Sequence, residues 1–357
     1  MAMAPTWVVR RQKMSLKSSD AEIRSDGIQL EGTQSIKREQ VELGVDLAPR
    51  NKFHLNISNP VMIASGTFGY DGYGRGITPE MDLGRLGAVI PKTVTRKPKE
   101  GNPEPRWDPP SYRQGLEQGN FLFLNSIGLA NPGIESALAG LTAEWSGYGT
   151  TVLLSISGDS VSQFAEMTAM TQGVPGFQAI ELNLSCPNVD SGAMFGHSAQ
   201  LTAAAVDAVR KNTDLPVLAK LAPNVPDVTE IAFAAVASGA DALTICNTVP
   251  AMAIDLEARK PVLGGITGGL SGHGLRPISL ALVYKTAQVV DVPIIGVGGI
   301  FEAKHVMEYL MAGATAVQVG SANLVSLWSP FLIVDELRDL LAASGIGRLD
   351  EVIGAAQ

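Results

Sequence analysis

Eight short apolar segments that alternate with helical segments constrain the fold of this chain more than any other feature. Continuous apolar strands separated by helices are typical of a parallel sheet that is covered by helices. Eight such units predict an α/β fold with a single domain, a (β/α)8 TIM barrel. The segments are VMIAS (61–65), AVIPKT (88–93), TVLLSIS (151–157), AIELNLS (179–185), PVLAKLA (216–222), DALTICN (241–247), PIIGVGG (293–299) and AVQVGS (316–321).

Helices are predicted between these strands from proline at the first helical position and from polar residues just before it. Neither GxGxxG after an early strand nor GxxxxGK[ST] occurs, which argues against Rossmann and P-loop folds. The predicted helices cover residues 132–146, 160–172, 198–211, 226–238, 277–290 and 302–312.

The first 40 residues differ from the rest of the chain. They contain seven basic and five acidic residues, and their only compact apolar patch is Trp7-Val8-Val9. We interpret 1–40 as a disordered N-terminal extension, or as the product of a start codon upstream of Met3 or Met14. A mitochondrial-type leader is the alternative. Residues 41–357 are then the barrel domain.

Charge and cysteine content exclude several classes of function. A formal net charge of −8 argues against binding to nucleic acid, which needs a basic face. Two cysteines without CxxC spacing provide no disulfide framework, zinc site or iron–sulfur site, so no metal is predicted. Such sparing use of cysteine fits a reducing compartment, most simply the cytoplasm. No apolar run is long enough to span a bilayer, so no membrane span is predicted.

Polar and glycine residues stand where the predicted strands end, which is the functional face of a TIM barrel. Gly298-Gly299 and Gly320-Ser321-Ala322, after the last two strands, are typical of a phosphate cradle, although tight turning alone would also favour glycine. The residues at these ends are Ala64, Ser65, Lys92, Thr93, Asn183, Lys220, Asn247, Thr248, Gly298, Gly299, Gly320 and Ser321.

Two lysines lie inside strand segments, at their C-terminal ends. A lysine that faces a packed barrel is costly unless an anion or an acceptor meets it. Lys92 and Lys220 are therefore candidates to meet a flavin or an anionic substrate. If they point outwards instead, they are solvated and carry no function.

Two further segments are expected to act from loops. Asn125 follows an apolar run, and the backbone amides of Ile127, Gly128 and Leu129 could form an anion-binding nest. An ordinary Asn/Gly turn explains this stretch equally well. Gly272, in the long loop after the sixth strand, could add a further backbone donor.

Cys186 lies in ELNLSCPN (181–188), where a strand ends and Pro187 prevents its continuation. A buried structural thiol is the default for a free cysteine, but the glycine-bearing segment that follows favours a base or a nucleophile on a mobile loop. Cys246, inside LTICNT, is expected to belong to the core. None of the four histidines has an evident partner for general-base chemistry.

Taken together, the longer motifs resemble the dihydroorotate dehydrogenase family in its class 1B form. The resemblance implies an FMN-dependent barrel that oxidises (S)-dihydroorotate to orotate in de novo pyrimidine (UMP) biosynthesis. It covers about residues 41–330, and the motifs that carry it are ASGTFGY (64–70), PKTVTRKPKEGNPEPR (91–106), NSIGLANPG (125–133), ELNLSCPN (181–188), KLAPNV (220–225), CNTVPAM (246–252), RKPVLGGITGGLSG (259–272), IIGVGGI (294–300) and AVQVGSAN (316–323).

The resemblance also implies a role for each candidate residue. Cys186 would remove the proton from C5 of dihydroorotate, and the hydride from C6 would pass to FMN. Lys220 would lie near the pyrimidine edge of the flavin. Substrate would be bound by Lys92, Asn125, Ile127, Gly128, Leu129, Asn183, Asn188, Asn247 and Thr248, and FMN would be bound by Ala64, Ser65, Lys92, Thr93, Asn183, Lys220, Gly272, Gly298, Gly299, Gly320 and Ser321.

Class 1B relatives imply a partner. The resemblance predicts a homodimeric core within a heterotetramer, whose second subunit carries FAD and an iron–sulfur cluster and passes electrons to NAD⁺. Membrane-bound relatives have serine at the position of Cys186, so the cysteine favours a class 1 enzyme. The alternatives are a fumarate-linked class 1A enzyme, the related catalytic subunit of dihydropyrimidine dehydrogenase, and a catalytically inactive flavin-binding scaffold.

Overall fold

The computed structural model describes residues 35–70, 77, 80–184 and 194–357. Eight parallel strands form a closed barrel in which every strand pairs with its neighbours in sequence order. All eight strands predicted from the sequence are therefore confirmed, and so is the TIM barrel. The barrel strands are β1 (Val61–Ile63), β2 (Ala88–Val89), β3 (Thr151–Ile156), β4 (Ala179–Asn183), β5 (Val217–Lys220), β6 (Ala242–Ile245), β7 (Ile294–Val297) and β8 (Ala316–Val319).

The inward-facing side chains fill the barrel in layers. Because side chains along a strand alternate between its faces, residues two positions apart point the same way. The layers nearest the N-terminal ends of the strands are apolar and buried, and the next inward positions on β4, β6 and β8 are polar. The apolar layers hold Met62, Ala88, Leu153, Ala179, Leu218, Ala242, Ile295 and Ala316, and the buried polar residues at the next positions of β4, β6 and β8 are Glu181, Thr244 and Gln318.

The barrel helices begin close to where polar residues and proline predicted them. Ser160 Oγ accepts a hydrogen bond from Gln163 N at 3.2 Å, and Ser198 Oγ accepts one from Leu201 N at 3.3 Å. These N-caps satisfy backbone donors that have no partner inside the helix. The α-helices are Tyr112–Glu117, Ile134–Ser136, Thr142–Trp145, Val161–Met170, Ala199–Arg210, Val228–Ala237, Arg276–Ala287, Ala303–Met311, Ser321–Val325 and Ser329–Ala343, and Ala137–Leu141 forms a π-helical turn.

An antiparallel sheet of four strands, here called the capping sheet, adds to the barrel. Its strands are Val249–Ala251, Gly268–Gly272, Leu122–Asn125 and Trp107–Asp108, in that spatial order. The expectation that Asn125 and Gly272 act from loops is therefore wrong, because both end strands of this sheet. These segments are short apolar runs interrupted by glycine, so their hydrophobic periodicity is too weak to predict strands. They form strands because they pair with segments that are distant in the sequence.

A short hairpin closes the N-terminal end of the barrel. Its strands, Val45–Asp46 and Asn56–Ile57, pair antiparallel, and Leu47, Leu55 and Ile57 join the apolar layers of the barrel. A second two-stranded hairpin joins Ile254–Asp255 to Lys260–Pro261. Single 3₁₀ turns cover Arg38–Gln40, Leu83–Arg85, Phe195–His197, His273–Leu275 and Leu349–Glu351.

The last residues of the predicted N-terminal extension contact the helix Ser329–Ala343. Ile36 N donates to Ala342 O at 3.0 Å, and Arg38 forms an ion pair of 2.8 Å with Asp335. Residues 1–34 lie outside the described residues, so their disorder and the domain boundary after residue 40 stay predictions. Among the described residues, no helix is long and apolar enough to cross a membrane.

Candidate active site

A cleft opens where the barrel strands end at their C-terminal side, and the capping sheet contributes to its wall. Every predicted site residue that the structure describes lines this cleft, with the exception of Gly272. These residues come from distant parts of the chain, and barrel closure brings them together. They are Ala64, Ser65, Lys92, Thr93, Asn125, Ile127, Gly128, Leu129, Asn183, Lys220, Asn247, Thr248, Gly298, Gly299, Gly320 and Ser321.

The charge of the cleft is positive although the whole chain is acidic. Lys92 and Lys220 are the charged residues in the described part of its lining, which contains no Asp or Glu. The other polar groups are amides, hydroxyls and backbone N–H groups. Such a lining favours an anionic ligand with carbonyl and imide groups that need neutral hydrogen-bonding partners.

Lys220 is held at the floor of the cleft by buried polar groups. Its side chain is 7% exposed, and Nζ donates to Gln318 Oε1 at 3.1 Å. Nζ also lies 3.9 Å from Oε1 of Glu181, which is fully buried. The interpretation that Lys220 faces the barrel mouth, not the outer solvent, fits this placement.

A short chain of hydroxyls adjoins this floor. Ser65 Oγ and Thr93 Oγ1 are 2.8 Å apart, and Thr93 Oγ1 and Ser155 Oγ are also 2.8 Å apart. The three residues come from the ends of β1 and β2 and from β3. Because hydroxyls both donate and accept, this group can adapt to either kind of ligand atom.

Two amides at the ends of β4 and β6 orient each other. Asn247 Nδ2 donates to Asn183 Oδ1 at 3.3 Å, and Asn247 Oδ1 accepts from Thr248 N at 2.8 Å. Because the backbone donor fixes the orientation of the Asn247 amide, Asn183 accepts from it through Oδ1, and no acceptor among the described residues meets Asn183 Nδ2. The amides therefore form a preorganised neutral pair.

Residues 125–133 form a tightly held rim. Asn131 is 8% exposed, and its Nδ2 donates to Leu129 O at 2.6 Å. This bond holds Leu129 at a φ of 54°, next to Gly128 at 70°, which is an uncommon conformation for leucine. No acceptor among the described residues meets the N–H groups of Ile127, Gly128 or Leu129. Three successive donors at the rim of the cleft are therefore available to a ligand.

The glycines after β7 are required by their conformation and close contacts, whereas the glycine after β8 borders open space. A Cβ on Gly299, whose φ is +64°, would lie 2.8 Å from Arg276 N. A Cβ on Gly320 would meet nothing closer than Thr67 Cγ2 at 3.8 Å, and Thr67 also lines the cleft. A side chain at 320 would thus occupy cleft space. Gly272, outside the lining, donates from its N–H to Ser321 Oγ at 3.2 Å and so positions that hydroxyl.

Two predicted residues, Cys186 and Asn188, lie outside the described residues. Asn183 lines the cleft at the end of β4, and Gly196 N donates to Leu184 O at 2.7 Å, so the described residues on either side of 185–193 lie next to each other. Cys246 is 1% exposed, and burial raises the pKa of its thiol to about 12. The prediction that Cys246 belongs to the core is confirmed, and its thiol is protonated at neutral pH.

The sequence matches one family over most of its length. The family described as dihydroorotate dehydrogenase matches residues 48–341. The chain belongs to the dihydroorotate dehydrogenase family. Its relatives include the catalytic subunit of dihydroorotate dehydrogenase B (NAD⁺) from Desulforudis audaxviator, 43% identical over 85% of this chain and 95% of the relative. The proteins of the same name from Desulforamulus reducens and Porphyromonas gingivalis are 42% identical over 85% and 84% of this chain and 96% and 94% of theirs.

Several residues that shape this family member's cleft were not predicted from the sequence. Trp107 and Tyr112 line it from the capping sheet and its following helix, with ring centroids 5.4 Å apart. Glu181 and Gln318 were also missed. The sequence did contain a signal for them, because each is a polar residue in the middle of an otherwise apolar barrel strand. A polar group that is buried there requires a hydrogen-bonding partner.

Proposed function

We propose that this protein oxidises dihydroorotate to orotate in pyrimidine biosynthesis, with FMN as its cofactor and NAD⁺ as the final acceptor. Membership of the dihydroorotate dehydrogenase family supports the reaction. The observation that carries the assignment to this cleft is its chemistry: two lysines, neutral amides and three unpaired backbone donors, with no carboxylate in the described lining. Orotate and FMN are both anions with imide rings, which such a lining fits.

The residues present fit FMN. Gly320 leaves open space beside Ala64 and Thr67 that any side chain would fill, and Gly298 and Gly299 adopt φ values of +138° and +64°. This glycine-lined part is where the phosphate is proposed to bind. Lys220 would face the ring, where a cation stabilises the negative charge of the reduced form. When bound, FMN supplies the chemistry of hydride acceptance.

The substrate is proposed to bind at the rim that faces the capping sheet. The N–H groups of Ile127, Gly128 and Leu129 would receive its carboxylate, and Lys92 would neutralise it. Asn125, whose Nδ2 donates to Gly269 O at 3.2 Å, and the Asn183–Asn247 pair would bind the ring carbonyl and imide groups. Since these amides are uncharged at every pH, they orient the ring without exchanging protons with it. Asn188 and Thr248 stay proposed as further contacts.

Cys186 is proposed to take the proton from C5 of the substrate. It lies three positions after Asn183 of the cleft lining, and covalent geometry limits the distance between their Cα atoms to about 11 Å. The other thiol, Cys246, is unsuited because burial keeps it protonated, and none of the four histidines lines the cleft. A thiol acts as a base only as thiolate, so a nearby cation would favour the reaction.

Electrons are proposed to leave through a separate subunit to NAD⁺. The relatives named above are catalytic subunits of an NAD⁺-linked enzyme, which supports a partner for this chain. The predicted FAD and iron–sulfur subunit, the homodimeric core and the cytoplasmic location stay proposals. Exposed Met252, Ile254, Leu256 and Ile266, which lie between two strands of the capping sheet, support a protein contact there.

Anaerobic titration of the purified protein tests the proposed function. Dihydroorotate should bleach the visible absorbance of the bound flavin, whereas dihydrouracil should not. Reduction by dihydrouracil would instead indicate a dihydropyrimidine dehydrogenase activity. Reoxidation is then followed with NAD⁺ in the presence of the partner subunit, and with fumarate alone. Rapid reoxidation by fumarate alone would contradict the NAD⁺-linked assignment and indicate the class 1A reaction.

A further inference from the structure

A buried carboxylate lies directly beneath the cleft, within the barrel. Glu181 is fully buried on β4, two positions after Ala179 and two before Asn183, so it lies between the apolar layers and the cleft lining. Its Oε2 accepts hydrogen bonds from Gln318 Nε2 at 2.6 Å and from Thr244 Oγ1 at 3.0 Å. Its Oε1 has no hydrogen-bond partner among the described residues.

This carboxylate is connected to the cleft through Lys220. The Gln318 amide donates to Glu181 and accepts from Lys220 Nζ at 3.1 Å, so the carboxylate determines which way the amide is turned. The ammonium also lies 3.9 Å from Glu181 Oε1, within ion-pair distance. Glu181 thus acts on Lys220 in two ways, through a hydrogen-bonded relay and through its charge.

Packing alone does not require a carboxylate here. The corresponding inward position on β2, two residues after Ala88, is Ile90, which is buried among the apolar layers. A branched apolar side chain therefore fits this level of the barrel. Because a buried ion pair is often no more stabilising than apolar residues of similar volume, stability is a weak reason for Glu181.

We propose that Glu181 is a positioning residue that sets the direction and the effective charge of Lys220 towards the bound flavin. This inference rests on the proposed function. Lys220 would raise the electron affinity of the flavin ring by stabilising negative charge on it. The negative charge of Glu181, beneath the cleft, would partly offset this effect. The carboxylate therefore adjusts the reduction potential of the flavin although it does not line the cleft.

The flavin potential of Glu181→Gln tests this role. Removal of a nearby negative charge should make the flavin easier to reduce, by about tenfold in the reduction equilibrium constant, or about 30 mV for a two-electron couple. The affinity of the oxidised flavin for sulfite, which gives an anionic adduct, should rise in parallel. Lys220→Met should shift both quantities in the opposite direction. An unchanged potential in Glu181→Gln would overturn the proposal.

Thr244→Val is the matched control. It removes one hydrogen bond from the same carboxylate oxygen but leaves the charge, so it should lower the melting temperature without moving the potential. Equal shifts of the potential in both variants would assign Glu181 a merely structural role. If Glu181→Gln does not fold, Glu181→Asp serves instead, because it withdraws the carboxylate from Lys220. It should shift the potential in the same direction by less, and an unchanged potential there would contradict the proposal.

The inference can also be tested without flavin. In flavin-free protein, acetylation of Lys220 by acetic anhydride, followed by mass spectrometry, should be faster in Glu181→Gln because Lys220 Nζ loses its ion pair with the carboxylate and is held less firmly beneath the cleft. Failure to bind flavin would remove the proposed function but leave this measurement valid. Equal acetylation rates in the two proteins would contradict the role of Glu181 independently of the cofactor.

Discussion

In the proposed reaction, Lys220 supplies a fixed positive charge and Cys186 accepts the proton. Lys220 is held by Gln318 and Glu181 within the barrel, and the described lining contains no carboxylate or histidine. The buried thiol of Cys246 is excluded by its raised pKa. The proposed chemistry therefore depends on a single residue outside the described chain, Cys186.

Replacement of Cys186 should separate binding from turnover. Cys186→Ala should keep bound flavin but lose about 10²–10⁴-fold in turnover, because it removes the general base. Cys186→Ser should also be slow at neutral pH and recover partly as pH rises, since a hydroxyl gives up its proton less readily than a thiol. Steady-state rates across pH, with flavin content by absorbance, check both variants. Turnover of Cys186→Ala at the unmodified rate would rule out the assigned role.

Two elements that belong to no barrel strand, the rim 125–133 and the turns after β7 and β8, give the cleft its shape. The rim is held by buried Asn131, whose Oδ1 accepts from Thr95 N at 3.1 Å and from Gly133 N at 2.8 Å. The turns depend on glycines for conformation and space. Substitutions in the two elements should therefore have different effects on substrate and cofactor.

Asn131→Ala should weaken substrate binding more than flavin binding. It releases Leu129 O and removes buried hydrogen bonds, so we expect about tenfold higher KM and about 1–3 kcal/mol lower stability. Asn131→Asp keeps the acceptor for Thr95 N and Gly133 N but loses the donor to Leu129 O, and it separates the two effects. KM, flavin content and chemical denaturation are measured. An unchanged KM in both variants would contradict a role of the rim in substrate binding.

Gly320→Val should exclude the cofactor while leaving a folded barrel. The side chain would enter the space beside Ala64 and Thr67, so the purified variant should be colourless. Gly140→Val is the control, because Gly140 is exposed and a Cβ there would meet nothing within 4 Å. Flavin content and far-ultraviolet circular dichroism are compared. Normal flavin content in Gly320→Val would place the cofactor elsewhere.

At the scale of the whole molecule, barrel stability is linked to a buried histidine beside the glycine turn. His305 contacts Arg276 through Nε2 and accepts from Phe301 N at 3.1 Å through Nδ1, while Glu302 lies 3.2 Å away. Burial, assisted by the positive charges of Arg276 and His273, lowers the pKa of His305 to about 4. The folded state therefore favours the neutral ring.

Stability should fall as pH drops from about 6.5 to about 4. In this window the unfolded chain binds a proton at position 305 that the folded chain does not, which costs up to about 3 kcal/mol. The stabilisation is fully present above the unfolded pKa. His305→Gln should reduce the loss of folding stability in this pH window. His197→Gln, at an exposed site, is the control and should leave that loss unchanged. Denaturation midpoints across pH check this, and identical curves for His305→Gln and unmodified protein would contradict it.

The exposed hairpin near the capping sheet should control assembly. Leu256 is 84% exposed, and Ile254 and Ile266 are also exposed. If this surface joins two copies of the chain, Leu256→Glu should lower the mass measured by sedimentation to that of a monomer. Phe233→Glu, on the exposed face of a barrel helix, should leave the mass unchanged. A mass unaffected by Leu256→Glu would exclude the hairpin from the interface.

The sequence by itself determined the barrel, because strand and helix periodicity are local and repeat eight times. It also determined where the two lysines, the amides and the glycine turns must meet, since parallel strands in a closed barrel all end at one mouth. Only the tertiary structure revealed the capping sheet, whose strands pair across more than a hundred residues and carry little periodic signal. It alone showed that Glu181 and Gln318 lie under Lys220, because a residue's partner across a barrel depends on strand register, which no local pattern specifies.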